Sequence, residues 1–218
     1  SGYPDMVKAL LWRRGITSKE EADEFLNPRY ESLHSPFLIT DMEKACRRVL
    51  EALDKKEKII IYSDYDADGI PGAVILSRFF REIGFENFEV YIPHRHIEGF
   101  GLNISAVETF SAGGTNLIIT VDCGITDTAP VQRANELGMD VIITDHHLPN
   151  GKLPPAFAIL DSKKEDDPYP YKMLCGSAVV WKLAVALGEM GDFKLAAGWE
   201  KWLLDMVGLA TLADMVPL

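Results

Sequence analysis

Two textures of hydrophobic spacing divide the chain. Through residue 57 the apolar positions recur at helical intervals, and no strand-like run appears. Val7, Ala9, Leu10 and Leu11 cluster ahead of Arg13-Arg14-Gly15, where glycine after basic residues marks a helix end. Ser18 with Glu21 three positions on has the capping-box pattern for a second helix, with Ala22, Phe25 and Leu26 on its apolar face. Beyond a loop punctuated by Pro28 and Pro36, Asp41 is placed to cap a third helix. Ala45, Val49, Leu50 and Leu53 repeat there at helical spacing.

From residue 58 onward, short continuous apolar runs alternate with amphipathic stretches. Strands are expected over 59–62, 88–92, 117–121, 141–144 and 157–160. The intervening helices are expected through 73–83, 104–110, 129–137, 177–187 and 199–213, with glycine stops at Gly84, Gly113-Gly114 and Gly138. Unbroken Val/Ile/Leu strands separated by helices indicate a parallel sheet covered on both faces. The expected fold is therefore α/β: a doubly wound, mostly parallel sheet of about five strands, preceded by a helical region over 1–57. Residues 58–218 form the second region.

Composition narrows the class. The 218 residues are 47% hydrophobic and 25% charged, the balance of a globular protein with ample surface to bury. No apolar run approaches a membrane span, and no basic flank leads into an apolar core at the N-terminus. Cys46, Cys123 and Cys175 are odd in number and lack metal-type spacing, which argues against a disulfide scaffold and a zinc ribbon. A reducing cytoplasm is the simplest setting. The net charge of −11 opposes non-specific binding to nucleic acid, since phosphates need cationic neutralisation.

Much of that negative charge falls at strand ends. The first strand runs into Asp64-Tyr65-Asp66-Ala67-Asp68-Gly69, the third ends at Asp122, the fourth at Asp145-His146-His147 and the fifth at Asp161. The C-terminal strand ends of an open parallel sheet line one crevice, so the three acids of the first turn, Asp122, Asp145 and the two histidines are expected to converge. Carboxylates at that density repel one another unless cations lie between them. Oxygen donors with one or two imidazoles suit Mn²⁺ or Mg²⁺.

Other readings compete for the first turn. Asp-x-Asp-x-Asp-Gly matches the opening of an EF-hand loop, but Ile75 stands where the bidentate Glu belongs and a strand precedes the loop. A strand followed by Asp-x-Asp also resembles phosphatases of the haloacid dehalogenase type, whose motif wants Thr or Val where Asp68 stands. Simple capping of the next helix, with Pro71 in its first turn, explains one of these acids more readily than three.

Asp-Tyr-Asp-Ala-Asp-Gly, Val-Asp-Cys-Gly and Thr-Asp-His-His, in that order, resemble the first three motifs of the DHH phosphoesterases. Arg13-Arg14-Gly15-Ile16, Phe25-Leu26-Asn27-Pro28, Tyr91-Ile92-Pro93, residues 98–103 and the closing segment 208–218 resemble the RecJ branch. The resemblance covers essentially the whole chain. It implies a metal-dependent phosphodiesterase, an exonuclease that degrades single-stranded DNA from the 5′ end with two Mn²⁺ or Mg²⁺ ions in repair and recombination. Carried over by position, it makes Asp66, Asp68, Asp122, His146 and Asp214 metal ligands and His147 a ligand or phosphate contact. Asp64 and Asp145 become supporting residues. Sibling families place a histidine four residues before the Asp66 position, where Tyr62 stands here. RecJ-like proteins continue into a DHHA1-type domain and usually an oligonucleotide-binding barrel, so the chain resembles the catalytic domain alone. Ser63, Ile70-Pro71-Gly72 and Cys175-Gly176-Ser177 depart from the commoner pattern without removing a ligand.

The expected chemistry is two-metal phosphodiester hydrolysis, with Asp122 as the bridging and catalytic carboxylate and His147 steadying the phosphate or assisting proton transfer. Arg95 is a candidate phosphate contact and Phe100 a candidate base-stacking platform. Pairing of Arg95 with a carboxylate is an equal reading. Arg47-Arg48, Arg78, Arg81 and Lys55-Lys56-Lys58 read as solvated helix faces, and Trp181, Trp199 and Trp202 as core positions. The expected partner is single-stranded nucleic acid, DNA ahead of RNA, with repair or replication proteins as further partners and no membrane. Rival readings are a phosphoesterase of short oligonucleotides or cyclic dinucleotides, and a catalytically silent scaffold module.

Overall fold

The computed structural model describes residues 2–217, so Ser1 and Leu218, the outer ends of the two expected regions, lie outside the described residues. Two compact units divide between Ser35 and Pro36. The division precedes the expected boundary at residue 57, because the third helix packs with the second unit.

The first unit holds α1 (Asp5–Arg13) and α2 (Lys19–Leu26). Gly15, at φ +78°, ends α1: its N–H donates to Trp12 O and the Ile16 N–H to Leu11 O, so two terminal carbonyls gain partners. Ser18 and Glu21 form the reciprocal capping box at α2.

The second unit begins its regular structure with α3 (Met42–Asp54) and continues as β1 (Ile59–Ser63), α4 (Gly69–Glu82), β2 (Phe88–Tyr91), α5 (Ile104–Ala112), β3 (Leu117–Val121), α6 (Thr128–Glu136), β4 (Asp140–Thr144), β5 (Ala158–Leu160), α7 (Gly176–Met190) and α8 (Leu204–Ala213). The strands form one sheet in the order β2-β1-β3-β4-β5, with every pairing parallel. β1 and β3 are buried at every residue, as their continuous apolar runs require. Ile60, Tyr62, Ile118, Val141, Ile143 and Ile159 join one core cluster with Ala106, Val107 and Phe110 of α5 and Val131 and Ala134 of α6. On the other face α4 packs against α7 and β1, and α7 packs against α3 and β3. This is the doubly wound α/β architecture expected from the spacing.

The order places the topological switch between β1 and β3. The chain leaves β1 toward β2 and then returns to lay β3 on the opposite side of β1. Ligands bind in such sheets at the carboxyl ends flanking that switch. Here those ends open into Asp64–Asp68 and Asp122.

Several local expectations fail for identifiable reasons. Asp41 does not cap α3 with its side chain; its carboxylate instead accepts the Ile159 N–H at 3.1 Å. Arg48 is buried between Glu57 and Asp140 instead of solvated. The helix expected over 199–213 breaks into a 3₁₀ turn over Trp199–Leu203 followed by α8, and Trp202 is 81% exposed instead of packed in the core. The tighter turn changes the register on which the core expectation rested. Among the described residues, no helix is long and apolar enough to cross a membrane.

Candidate metal centre

The ladder continues one residue past three strands and fixes the acids that follow. The Asp64 N–H donates to Val121 O, the Asp122 N–H to Thr144 O and the Asp145 N–H to Leu160 O, all within 2.9–3.0 Å. Asp122 occupies the left-handed region at φ +60°, a conformation that costs energy for most side chains and recurs at functional sites. Gly69 is required by proximity, since a Cβ there would lie 2.5 Å from Asp64 O. The turn between Asp64 and Gly69 is therefore drawn tightly over the sheet edge.

Among the described residues, three groups of side chains come close enough to share a cation: Asp64, Asp66 and Asp122; Asp122, His146 and His147; and Asp68, His146 and Asp214. Within each group the ligand atoms lie within 4.8 Å of one another. Asp122 and His146 each belong to two groups, so the three are contiguous. His146 Nε2 lies 3.2 Å from Asp122 Oδ1, 3.6 Å from Asp68 Oδ2 and 3.7 Å from Asp214 Oδ2. Despite that proximity, His146 Nε2, Asp122 Oδ1 and Asp64 Oδ1 are buried without an aligned hydrogen bond. Buried polar atoms are ordinarily satisfied, and donor atoms that converge without bonding one another are what a coordinated cation requires.

Electrostatics point the same way. Burial, reinforced by the charges of Asp68, Asp145 and Asp66, pushes the Asp122 carboxyl up to about 10. Burial also raises Asp64 and Asp214. Positive charge among them would restore the ionised, ligating form. The donor set of carboxylate oxygens and imidazole fits Mn²⁺ or Mg²⁺.

Asp145 differs from its neighbours. Its Oδ1 accepts His147 Nδ1 at 2.7 Å together with the His146 and His147 N–H groups, and its Oδ2 accepts the Ile125 N–H. Its Oδ1 serves to orient the two histidines, while its Oδ2 ties it to the loop after β3. Despite full burial, the hydrogen bond and charge of His147 hold Asp145 below the usual carboxylate range, and the same bond raises His147. His147 is left with Nε2 as the ring nitrogen free of that partner, the arrangement of a carboxylate–histidine pair behind a metal.

Asp66 combines two of the readings of its turn. Its Oδ1 accepts the Asp68 and Gly69 N–H groups at the start of α4, while the residue also joins the ligand group with Asp64 and Asp122. Asp161 belongs to none of the three groups; it is buried, raised to about 6 by that burial, and accepts the Lys163 N–H. Asp214 arrives from the end of α8. No local pattern marks it, although it is the lone charge in the apolar stretch 206–218, and that isolation is the signal composition offers.

The expected substrate contacts border this centre. Arg95 lies over the Tyr65 ring, with its guanidinium carbon 4.4 Å from the centroid, so it stacks on the acidic turn itself. Phe100 is half exposed and meets the His147 ring edge-on at 5.5 Å. Glu98 braces the loop carrying both residues by accepting the Tyr91 hydroxyl, the His94 N–H and Asn103 Nδ2. Tyr62 donates its hydroxyl to Gly101 O at 2.7 Å. It therefore ties down the loop and leaves the ligand groups to other residues.

The model of the DHH family, N-terminal domain, matches residues 58–211. The chain belongs to the DHH family. Asp145-His146-His147 is thus its Asp-His-His triplet, in which the aspartate orients and the histidines face the acids. The single-stranded-DNA-specific exonuclease RecJ of Bacillus subtilis (strain 168) is 40% identical over 214 residues, which cover 98% of this chain and 26% of that protein. A crystal structure of exonuclease RecJ bound to manganese superposes with a TM-score of 0.73 at 32% identity, covering 83% of this chain and 44% of the other. RecJ from Thermus thermophilus in complex with Mn²⁺ gives 0.77 at 29% identity, covering 97% of this chain and 28% of the other. The chain therefore spans roughly a quarter to under half the length of these DHH proteins.

Proposed function

We propose that this DHH chain is the catalytic part of a single-strand-specific 5′-to-3′ DNA exonuclease of RecJ type, working by two-metal phosphodiester hydrolysis in cytoplasmic repair and recombination. The observation that carries the reading is the contiguity of the three ligand groups through Asp122 and His146. Asp64, Asp66, Asp122, His146, His147, Asp68 and Asp214 are the residues that would hold Mn²⁺ or Mg²⁺. When bound, such a pair supplies an acidified water at neutral pH and stabilises negative charge on the scissile phosphate.

The chain's own residues perform the rest. Asp122 bridges the two halves of the centre, and its strained backbone directs the carboxylate inward. Asp145 holds His147 with Nε2 toward the centre, where it can contact the phosphate or carry a proton. Arg95, fixed over Tyr65, faces the same turn as a cationic group for phosphate. Phe100 offers an apolar surface beside His147 on which an unpaired base can stack, a contact that reads no sequence. Similarity to the RecJ proteins supports the exonuclease over the oligonucleotide and scaffold readings. The retained ligand positions also favour an active centre over a silent one.

Labelled single-stranded DNA, the matching duplex and a dinucleotide, each incubated with the chain and Mn²⁺, test the proposal. The single strand should shorten progressively from its 5′ end, with the duplex cut far more slowly and EDTA stopping both. Cleavage confined to the dinucleotide would replace the exonuclease with the short-substrate reading. Mn²⁺ binding without cleavage of any substrate would support a scaffold.

A further inference from the structure

The start of α7 is bonded to the metal centre instead of to its own cap. Cys175, at the N-cap, makes no side-chain capping bond. Asp68, distant in sequence, takes that role. Its Oδ2 accepts the Gly176 N–H at 2.6 Å and its Oδ1 accepts the Ser177 N–H at 2.7 Å. The buried Ser177 hydroxyl donates to the Asp68 carbonyl oxygen. Three donors from two successive residues thus fix both the carboxylate and the backbone of Asp68, while Asp68 satisfies N–H groups that a helix start leaves unpaired. Asp68 makes no such bond at the start of α4, its own helix.

Gly176 adds a steric constraint. A Cβ there would lie 2.5 Å from Asp122 Oδ1 and 2.7 Å from Asp122 Cβ. Its backbone does not occupy the left-handed region, so the glycine is demanded by close approach and not by φ. The same residue therefore holds Asp68 through its N–H and gives Asp122 room through its missing side chain. His146 Nε2 lies within 3.2–3.6 Å of these two carboxylates.

We infer that Gly176 and Ser177 are positioning residues that set the separation of Asp68 and Asp122 on which the metal pocket depends. The inference rests on the metal-binding reading above. An alanine at 176 suits the helix backbone, but its methyl group drives Asp122 from the pocket. Loss of the Ser177 hydroxyl removes one of the three bonds and loosens Asp68.

Mn²⁺ titration of the wild-type chain, Gly176→Ala and Ser177→Ala, followed by calorimetry and by electron paramagnetic resonance, tests this without reference to turnover. Far-UV circular dichroism in EDTA establishes that each variant is folded. Gly176→Ala should bind Mn²⁺ about 10–100-fold more weakly, the usual effect of disturbing groups behind a ligand, and should lose the spin-coupled two-ion signal. Ser177→Ala should show a smaller loss in the same direction. Wild-type affinity and spectrum in a folded Gly176→Ala would overturn the inference alone. Should Gly176→Ala not fold, Ser177→Ala decides, and wild-type binding there overturns it. A wild-type chain that does not bind Mn²⁺ would overturn both the inference and the metal-dependent function.

Discussion

At the strand starts of the sheet, Arg48 lies between Glu57 and Asp140, with N–O distances of 2.7 and 2.6 Å, and Lys58 pairs with Glu89. At the strand ends, Asp64, Asp66, Asp68 and Asp122 gather with no lysine or arginine paired to them among the described residues. The same five strands thus carry acids at both edges, but only at the strand starts does an arginine or lysine form an ion pair with them among the described residues. Against the opposing effect of burial, Asp140 and Glu57 hold Arg48 above its ordinary value, so it remains charged and neutralises its neighbours. Asp122 has no such partner, and its carboxyl is driven up. An edge that neutralises its own acids is structural; an edge that leaves them crowded is built for a cation from outside.

The strongest way to break this contrast is Asp122→Asn. Asparagine keeps the shape and tolerates φ +60°, but cannot supply the negative charge proposed to link the two halves of the centre. Mn²⁺-dependent cleavage of single-stranded DNA should fall to background. The metal-free protein should become more stable at pH 7. A carboxyl held near 10 in the fold and near 3.9 when unfolded weakens the fold progressively as pH rises above the unfolded value, and the amide removes that penalty. Melting in EDTA from pH 5 to 9 should therefore show a decline in the wild type that is shallower in Asp122→Asn. Residual cleavage near the wild-type rate would deny Asp122 its bridging role.

Arg48→Met makes the reciprocal break at the other edge. It leaves the largely buried Glu57 and the partly exposed Asp140 without their shared cation, a loss of about 2 kcal/mol, between the values for buried and exposed pairs. Thermal melting should fall by roughly 4–8 °C for a domain of this size. Mn²⁺ affinity measured below the transition should not change. Stability lost at one edge and function lost at the other would separate the two roles; a joint loss of stability and Mn²⁺ binding would merge them.

How far this contrast was legible in the sequence depends on the distance over which each charge finds its partner. The sheet was readable because β1 and β3 are unbroken apolar runs, and the acids that follow them inherit their place from the strands. The sequence alone therefore sets Asp68 and Asp122 on one edge. Arg48 could not be distinguished from the solvated Arg47, because its partner Asp140 enters from the start of β4. Helical periodicity contains no term for such a meeting. Asp214 presented the same difficulty, and only the family resemblance selected it. The bond from Asp68 to α7 is equally invisible in the sequence: capping of α4 explains one acid of the first turn, and Asp66 takes that place, whereas the fold sends the Asp68 carboxylate to another helix.

Asp145 sharpens the comparison because it lies at the crowded edge yet behaves like an acid at the paired one. Its cation is His147, and their titrations have opposite signs. Asp145 is held low in the fold, so its contribution exists above its unfolded value near 3.9 and disappears as pH falls. His147 is held high, so its contribution is complete below its unfolded value near 6.5 and is lost as pH rises through the raised folded value. The metal-free protein should draw most stability from the pair between about pH 4 and 6.5. A metal ion must displace the His147 proton, so Mn²⁺ affinity should climb with pH through that raised value. Asp145→Asn leaves one accepting oxygen where four donors now converge, and it removes the charge that raises His147. The midpoint of pH-dependent Mn²⁺ binding should move downward, while affinity at high pH drops about 10–100-fold from the loss of an orienting group. Isothermal titration at a series of pH values measures both. An unchanged midpoint would mean that His147 does not ligate, leaving it free to act on the phosphate alone.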